Sequence, residues 1–193
     1  MDAFETAWRH AHPNCNPVGY RMRSADAPNW IRFHSLPLSK RYAETADERC
    51  ILLERQNTLA NEVLGAGASC WLVQVCWRTP EGMTDLADEH DPFRATREHS
   101  LATTFCFRDE DEEDATPWDV NAALVTWRAG RFDDLLVQIA DDRAAPTLWM
   151  SAATGSVFAP YDGGTDLFLA DPSMVTRLSL RHSEWLSAHP EGL

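Results

Sequence analysis

Four side chains that could bind an anion or move a proton fall close together in the stretch NWIRFHSLPLSKRY, residues 29–42. Arg32 and His34 alternate on what reads as a strand, so both leave the same face. Lys40 and Arg41 follow beyond Pro37, which stops the strand because its nitrogen carries no proton. Three cations and an imidazole in one place would hold a phosphate or a carboxylate, with His34 placed to exchange protons near neutral pH. Covalent chemistry is not indicated. No serine sits in a G-x-S-x-G elbow, and neither Ser35 nor Ser39 stands three residues before Lys40.

Further along the chain, Asp162 and Asp166 bracket the paired glycines of PYDGGTD, a hairpin signal in which glycine supplies positive φ. His182 falls in an apolar stripe with Val175, Leu178 and Trp185, where an imidazole is ordinarily buried and neutral. These three residues are the candidates for joining Arg32, His34, Lys40 and Arg41 in a common cleft. The catalytic residues of any reaction stay unassigned. The run Asp109, Glu110, Asp111, Glu112, Glu113 and Asp114 reads as a solvated acidic loop and as a docking surface for a basic partner.

Metal and nucleotide chemistry find little support. Cys70 and Cys76 share one side of a strand, but six residues of extended chain separate them by roughly 20 Å. They cannot share a zinc ion. The cluster DEHD at 88–91, with His99, offers ligand types without a recognised spacing. The glycines of GAGAS at 65–69 follow a helix and precede a strand, the reverse of the nucleotide-binding order. No metal and no cofactor are expected.

The elements that must position these residues follow from periodicity. Phe4, Ala7, Trp8 and Ala11 recur at helical spacing behind Asp2. Residues 30–36 alternate as a strand. The best-marked helix covers 46–64, opened by a capping box of Thr45 and Glu48 and closed by Gly65. Apolar runs at 70–77, 101–107, 120–127, 135–140, 147–152, 156–160 and 166–170 read as strands, and 78–100 as loop with one short helix. A last helix opens at Asp171 and Pro172 and runs to about 187. Helices flank the strands instead of alternating with them. The expected fold is therefore α+β, a mostly antiparallel sheet of six or seven strands with N-terminal, middle and C-terminal helices on one face. At 193 residues the chain is read as a single domain over 1–193.

Composition narrows the class. The formal net charge of −13 repels nucleic acid and anionic membranes, and steers a basic protein toward the surface. Of 17 basic residues, Lys40 is the only lysine. Five cysteines without a C-x-x-C pair argue against a disulfide framework. No membrane span and no apolar leader are read, so a cytoplasmic protein is expected.

The segments R-x-H-S-L-P-x-S-K-R-Y (from Arg32), Y-D-G-G-x-D (from Tyr161) and W-L-S-x-H-P-x-G-L (from Trp185) together resemble an uncharacterised bacterial protein family. The resemblance covers nearly the whole chain. Leu38 departs from the acidic or polar residue of that pattern, and Thr165 from its alanine. The likeness implies an intact single-domain bacterial protein of the cytoplasm and carries no reaction. Two functions follow as expectations. The first is a non-enzymatic, acidic interaction protein of immunity or antitoxin type. The second is an enzyme or anion-binding domain built on Arg32, His34, Lys40 and Arg41.

Overall fold

The computed structural model describes residues 2–25, 29–77, 101–108 and 117–186. The acidic run, the DEHD cluster, His99 and the end of the terminal motif lie outside the described residues. Seven strands form one antiparallel sheet: β1 (Trp30–His34), β2 (Ser69–Trp77), β3 (Ala102–Phe107), β4 (Trp118–Thr126), β5 (Thr147–Ser151), β6 (Val157–Tyr161) and β7 (Gly164–Phe168). Their order across the sheet is β1-β7-β6-β5-β2-β4-β3. Among the described residues five α-helices accompany them: α1 (Ala3–Ala11), α2 (Gly19–Ala25), α3 (Ala46–Leu64), α4 (Asp133–Ala140) and α5 (Ser173–Arg181).

The α+β class holds, but the helices do not share one face. Alternation in the strands sends Phe33, Leu72, Trp149, Phe158 and Leu167 to one side, where Leu59, Leu136 and Leu178 of α3, α4 and α5 cover them. Val73, Val120, Met150, Val157 and Phe168 point to the other side, where Phe4 and Trp8 of α1 and Met22 of α2 cover them. A sheet that is apolar on both faces needs two covers. The strand runs carried that information, since β2 is apolar at consecutive positions.

A second correction concerns residues 135–140, expected as a strand. They form α4, because Leu135, Leu136, Ile139 and Ala140 lie one turn apart and are all buried. The short run has no clean alternation, and its apolar spacing suits a helix laid over β6. The last helix also ends earlier than expected, at Arg181, with a 3-10 turn over Ser183–Trp185.

Local chemistry explains the best-placed elements. In α3, Thr45 Oγ1 accepts from the Glu48 N–H at 3.2 Å, and Glu48 Oε2 accepts from the Thr45 N–H at 3.2 Å. Two otherwise orphaned donors at the helix start are thereby satisfied. At the β6–β7 hairpin the paired glycines play a different role from the one expected. Neither Gly163 nor Gly164 has positive φ. Gly164 is required because β1 passes so close: a Cβ there would sit 2.3 Å from the Phe33 carbonyl oxygen.

Candidate functional site: a cleft where the sheet splits

β5 and β6 pair only at Trp149–Phe158 and Met150–Val157. Continuing that register would bring Thr147 opposite Pro160 and Pro146 opposite Tyr161. Proline has no N–H to offer a ladder, so pairing stops and the two strands part. The gap is a cleft of about 260 Å³. Tyr20 and Arg23 line it from the α2 side, Asp142 and Ala144 from beyond α4, and Tyr161 and Asp166 from the strands.

Asp166 anchors one wall. It is 1% exposed and accepts four hydrogen bonds. Trp30 Nε1 donates to Oδ1 at 3.0 Å and Arg32 Nε to the same oxygen at 2.8 Å. Arg32 Nη2 donates to Oδ2 at 3.2 Å and Arg23 Nε at 2.9 Å. The Arg32 guanidinium lies over the rings of Trp30 and Tyr161, at 5.4 Å and 5.0 Å from their centroids. Burial acts to lower the Arg32 pKa, but the hydrogen bonds and charge of Asp166 outweigh it and the net shift is upward. Burial pushes the Tyr161 phenol up to about 12, so it presents a neutral hydroxyl.

The hairpin end of β6 forms the rim. Arg41 Nε and Nη2 and the Tyr42 hydroxyl all meet Asp162 Oδ2. Asp162, at the hairpin, is thus tied to residues 41 and 42. Asp142 stands on the same rim with φ +56, a left-handed conformation that aspartate tolerates better than most residues.

The sequence candidates divide accordingly. Asp162 and Asp166 line the cleft, with Arg41 and Arg32 bonded to them. Lys40 points elsewhere and donates to Glu44 and Glu48 at 3.0 Å and 2.7 Å. His34 closes the end of β1. Burial, before any other cause, lowers its pKa, against the Gly163 carbonyl, which acts to raise it. Its Nε2 is buried with no partner among the described residues. His182 does not reach the cleft. It caps α5, bonds Glu62 of α3 at 2.7 Å and stacks on Trp185. Residues 32, 41, 162 and 166 therefore meet at the cleft, while Lys40, His34 and His182 each stand elsewhere, and the seven do not form one site.

Sequence reasoning missed Arg23, Asp142 and the two tyrosines. Pro160 in β6 and Pro146 just before β5 were the legible signal of an interrupted ladder. Nothing in the local pattern marks Arg23 or Asp142. Among the described residues, no group of three or more His, Cys, Asp or Glu is arranged to hold a metal ion. No helix among them is long and apolar enough to cross a membrane.

The chain belongs to the family described as Domain of unknown function (DUF3885), whose model matches residues 18–190. That span takes in α2, the whole sheet and every cleft residue named above, and leaves α1 outside. Neither a curated protein nor a solved structure matches the chain. The family therefore fixes kinship without an activity, and the site must be read from its own geometry.

Proposed function

We propose that the protein is a non-enzymatic, cytoplasmic bacterial interaction protein of immunity or antitoxin type, which binds a basic protein partner. The observation that carries this reading is the state of the cations at residues 29–42. Arg32 is held by Asp166, Lys40 by Glu44 and Glu48, and Arg41 by Asp162. The stretch that looked most like an anion site thus spends its positive charge on the chain's own carboxylates. The acid excess of the whole chain, −13, remains for a partner of opposite sign. Asp109 to Asp114 contribute six of those charges and are the proposed first point of encounter.

Leu38 supports the same reading. It is wholly exposed at the apex of this stretch, and both Leu38 and Ser39 have positive φ, at 57° and 56°. Left-handed backbone costs an ordinary L-residue about 1–2 kcal/mol. Strain of that kind, spent to project an apolar side chain into water, fits a tip that a partner covers.

The test uses the protein encoded beside this chain's gene. Growth inhibition by that neighbour, relieved by co-expression of this chain, together with a complex that weakens steeply as salt rises, is the expected result. A neighbour that is harmless and fails to bind would sink the proposal. The rival anion-binding reading, on Arg32, His34, Lys40 and Arg41, requires four ion pairs to open. Thermal stabilisation by inorganic phosphate, lost in a Lys40→Ala, Arg41→Ala variant, would favour it.

A further inference from the structure

The charges around the cleft do not cancel locally. Asp166 carries one negative charge and faces two guanidiniums, Arg23 and Arg32. Arg41 matches Asp162. That leaves one positive charge in excess at the Asp166 wall. The more accessible of its two guanidiniums is Arg23, whose side chain is 31% exposed. Only its Nε is engaged among the described residues, so both terminal nitrogens are free to form a fork on a carboxylate. Asp142, on the rim, makes no close ion pair among the described residues; Arg41 feels its charge but is bonded to Asp162, so two carboxylates share one guanidinium and one negative charge is in excess there.

These two unmatched charges stand on different sides of the sheet. Arg23 comes from α2, which packs with Met22 against the face that holds Val157 and Ala159. Asp142 follows α4, which packs through Leu136 and Ile139 against the face that holds Trp149 and Phe158. The cleft passes between β5 and β6 and joins them. Its walls are the rings of Tyr20 and Tyr161 and the parted backbones of Thr147 and Pro160. In the ladder, Thr147 is the next position after Trp149 whose backbone groups face β6, and Pro160 cannot answer its carbonyl.

We infer that this cleft binds a small amino carboxylate, with the carboxylate on the terminal nitrogens of Arg23 and an ammonium group on Asp142. Because the two charges lie on opposite sides of the sheet, the ligand carries its own charges several bonds apart, as lysine or a longer ω-amino acid does. The volume of about 260 Å³ accommodates a molecule of that size. The flat aromatic walls suit an aliphatic spacer ending in a cation. This inference stands apart from the protein partner proposed above, and neither depends on the other.

The experiment is thermal unfolding of the full chain with four probes: 6-aminohexanoate, L-lysine, glycine and N-acetyl-6-aminohexanoate. A ligand of about nine non-hydrogen atoms is expected to bind with Kd on the order of 1 mM. At ~10 mM it should raise Tm by roughly 3 °C. The expected result is a rise with 6-aminohexanoate and lysine, little with glycine, and little with the acetylated compound, which lacks the ammonium. Arg23→Gln and Asp142→Asn should each abolish the rise. Asparagine tolerates the left-handed backbone at 142, so that variant tests the charge without disturbing the fold. A rise with the acetylated compound equal to that with 6-aminohexanoate would overturn the role of Asp142. Equal rises with glycine and 6-aminohexanoate would overturn the placement of the two charges. No rise with any probe, or unchanged rises in both variants, would overturn the site.

Discussion

Replacing Asp166 by asparagine tests whether the buried ion triad holds the cleft wall. The side chains are nearly isosteric, so packing is preserved and the change is one of charge and hydrogen bonding. The carboxylate accepts four hydrogen bonds at 2.8–3.2 Å, two at each oxygen. An amide oxygen can keep the pair at Oδ1, but an NH₂ in place of Oδ2 points donors at the donors of Arg32 and Arg23. Arg32 is only 8% exposed, so its charge loses its counterion where water cannot replace it. Breaking a buried pair by removing one partner costs about 3–5 kcal/mol. The half-exposed Arg23 adds no more than about 1 kcal/mol, because solvent screens it. Against a total stability of roughly 5–15 kcal/mol the loss is large. With a urea m-value of about 2 kcal/mol/M, the midpoint should fall by about 1.5–2.5 M. The double change Arg32→Met, Asp166→Leu removes both buried charges and should recover more than half of that loss. A midpoint shift below ~0.5 M for Asp166→Asn, at unchanged m, would refute the claim that Asp166 is what keeps Arg32 charged and buried.

Four further outcomes follow from the same geometry. Leu38→Gly removes no buried area and relieves a left-handed leucine, so stability should rise by roughly 0.5 kcal/mol in urea unfolding, after the greater freedom of glycine in the unfolded chain is subtracted; a fall would contradict the strain. Gly164→Ala places a methyl 2.3 Å from the Phe33 carbonyl oxygen and should destabilise by about 2–3 kcal/mol in the same assay, because that contact is with backbone and cannot swing aside. Burial lowers the His34 pKa below its unfolded value near 6.5, so the unfolded chain binds the extra proton first. Stability should hold above about pH 6.5, decline as pH falls from there, and level off for this group below its folded pKa; a His34→Gln variant should lose that component of the decline. Burial pushes the Cys70 thiol up to about 12, whereas Cys50 and Cys106 are exposed. A thiol reagent on the native protein should modify residues 50 and 106 readily and residue 70 only after unfolding, read by mass of the peptides.

What could be read from the chain beforehand was what local rules decide. The α3 boundaries were legible because Thr45, Glu48 and Gly65 each satisfy or end a specific set of backbone hydrogen bonds. The strand of Arg32 was legible from alternation. The segment 135–140 was misread because a six-residue apolar run fits a buried strand or one face of a helix equally well, and only the neighbouring β6 decides. The cleft was legible only in part, through Asp162 and Asp166. Arg23 and Asp166 are 143 residues apart and meet only after seven strands have found their order. Asp142 carries no local signal, since its value lies in what stands across the gap.

The cationic stretch and the cleft are nevertheless one mechanical unit. Two forces part β6 from β5. One is the missing N–H of Pro160, which removes the next rung. The other acts from the opposite edge. Arg32 grips Asp166 on β7, Arg41 and Tyr42 grip Asp162 at the hairpin, and Gly164 lets β1 come into close contact through Phe33. Each of these holds the β6–β7 hairpin toward β1, away from β5. Removal of Pro160 alone would therefore leave the hairpin clamped, and removal of the clamps alone would leave no donor to close the ladder. A cleft kept open from both edges is pre-formed, which lowers the cost of filling it. On this argument the basic residues at 32 and 41 serve the site by positioning its wall, and the groups that meet a ligand are the ones they leave unmatched, Arg23 and Asp142.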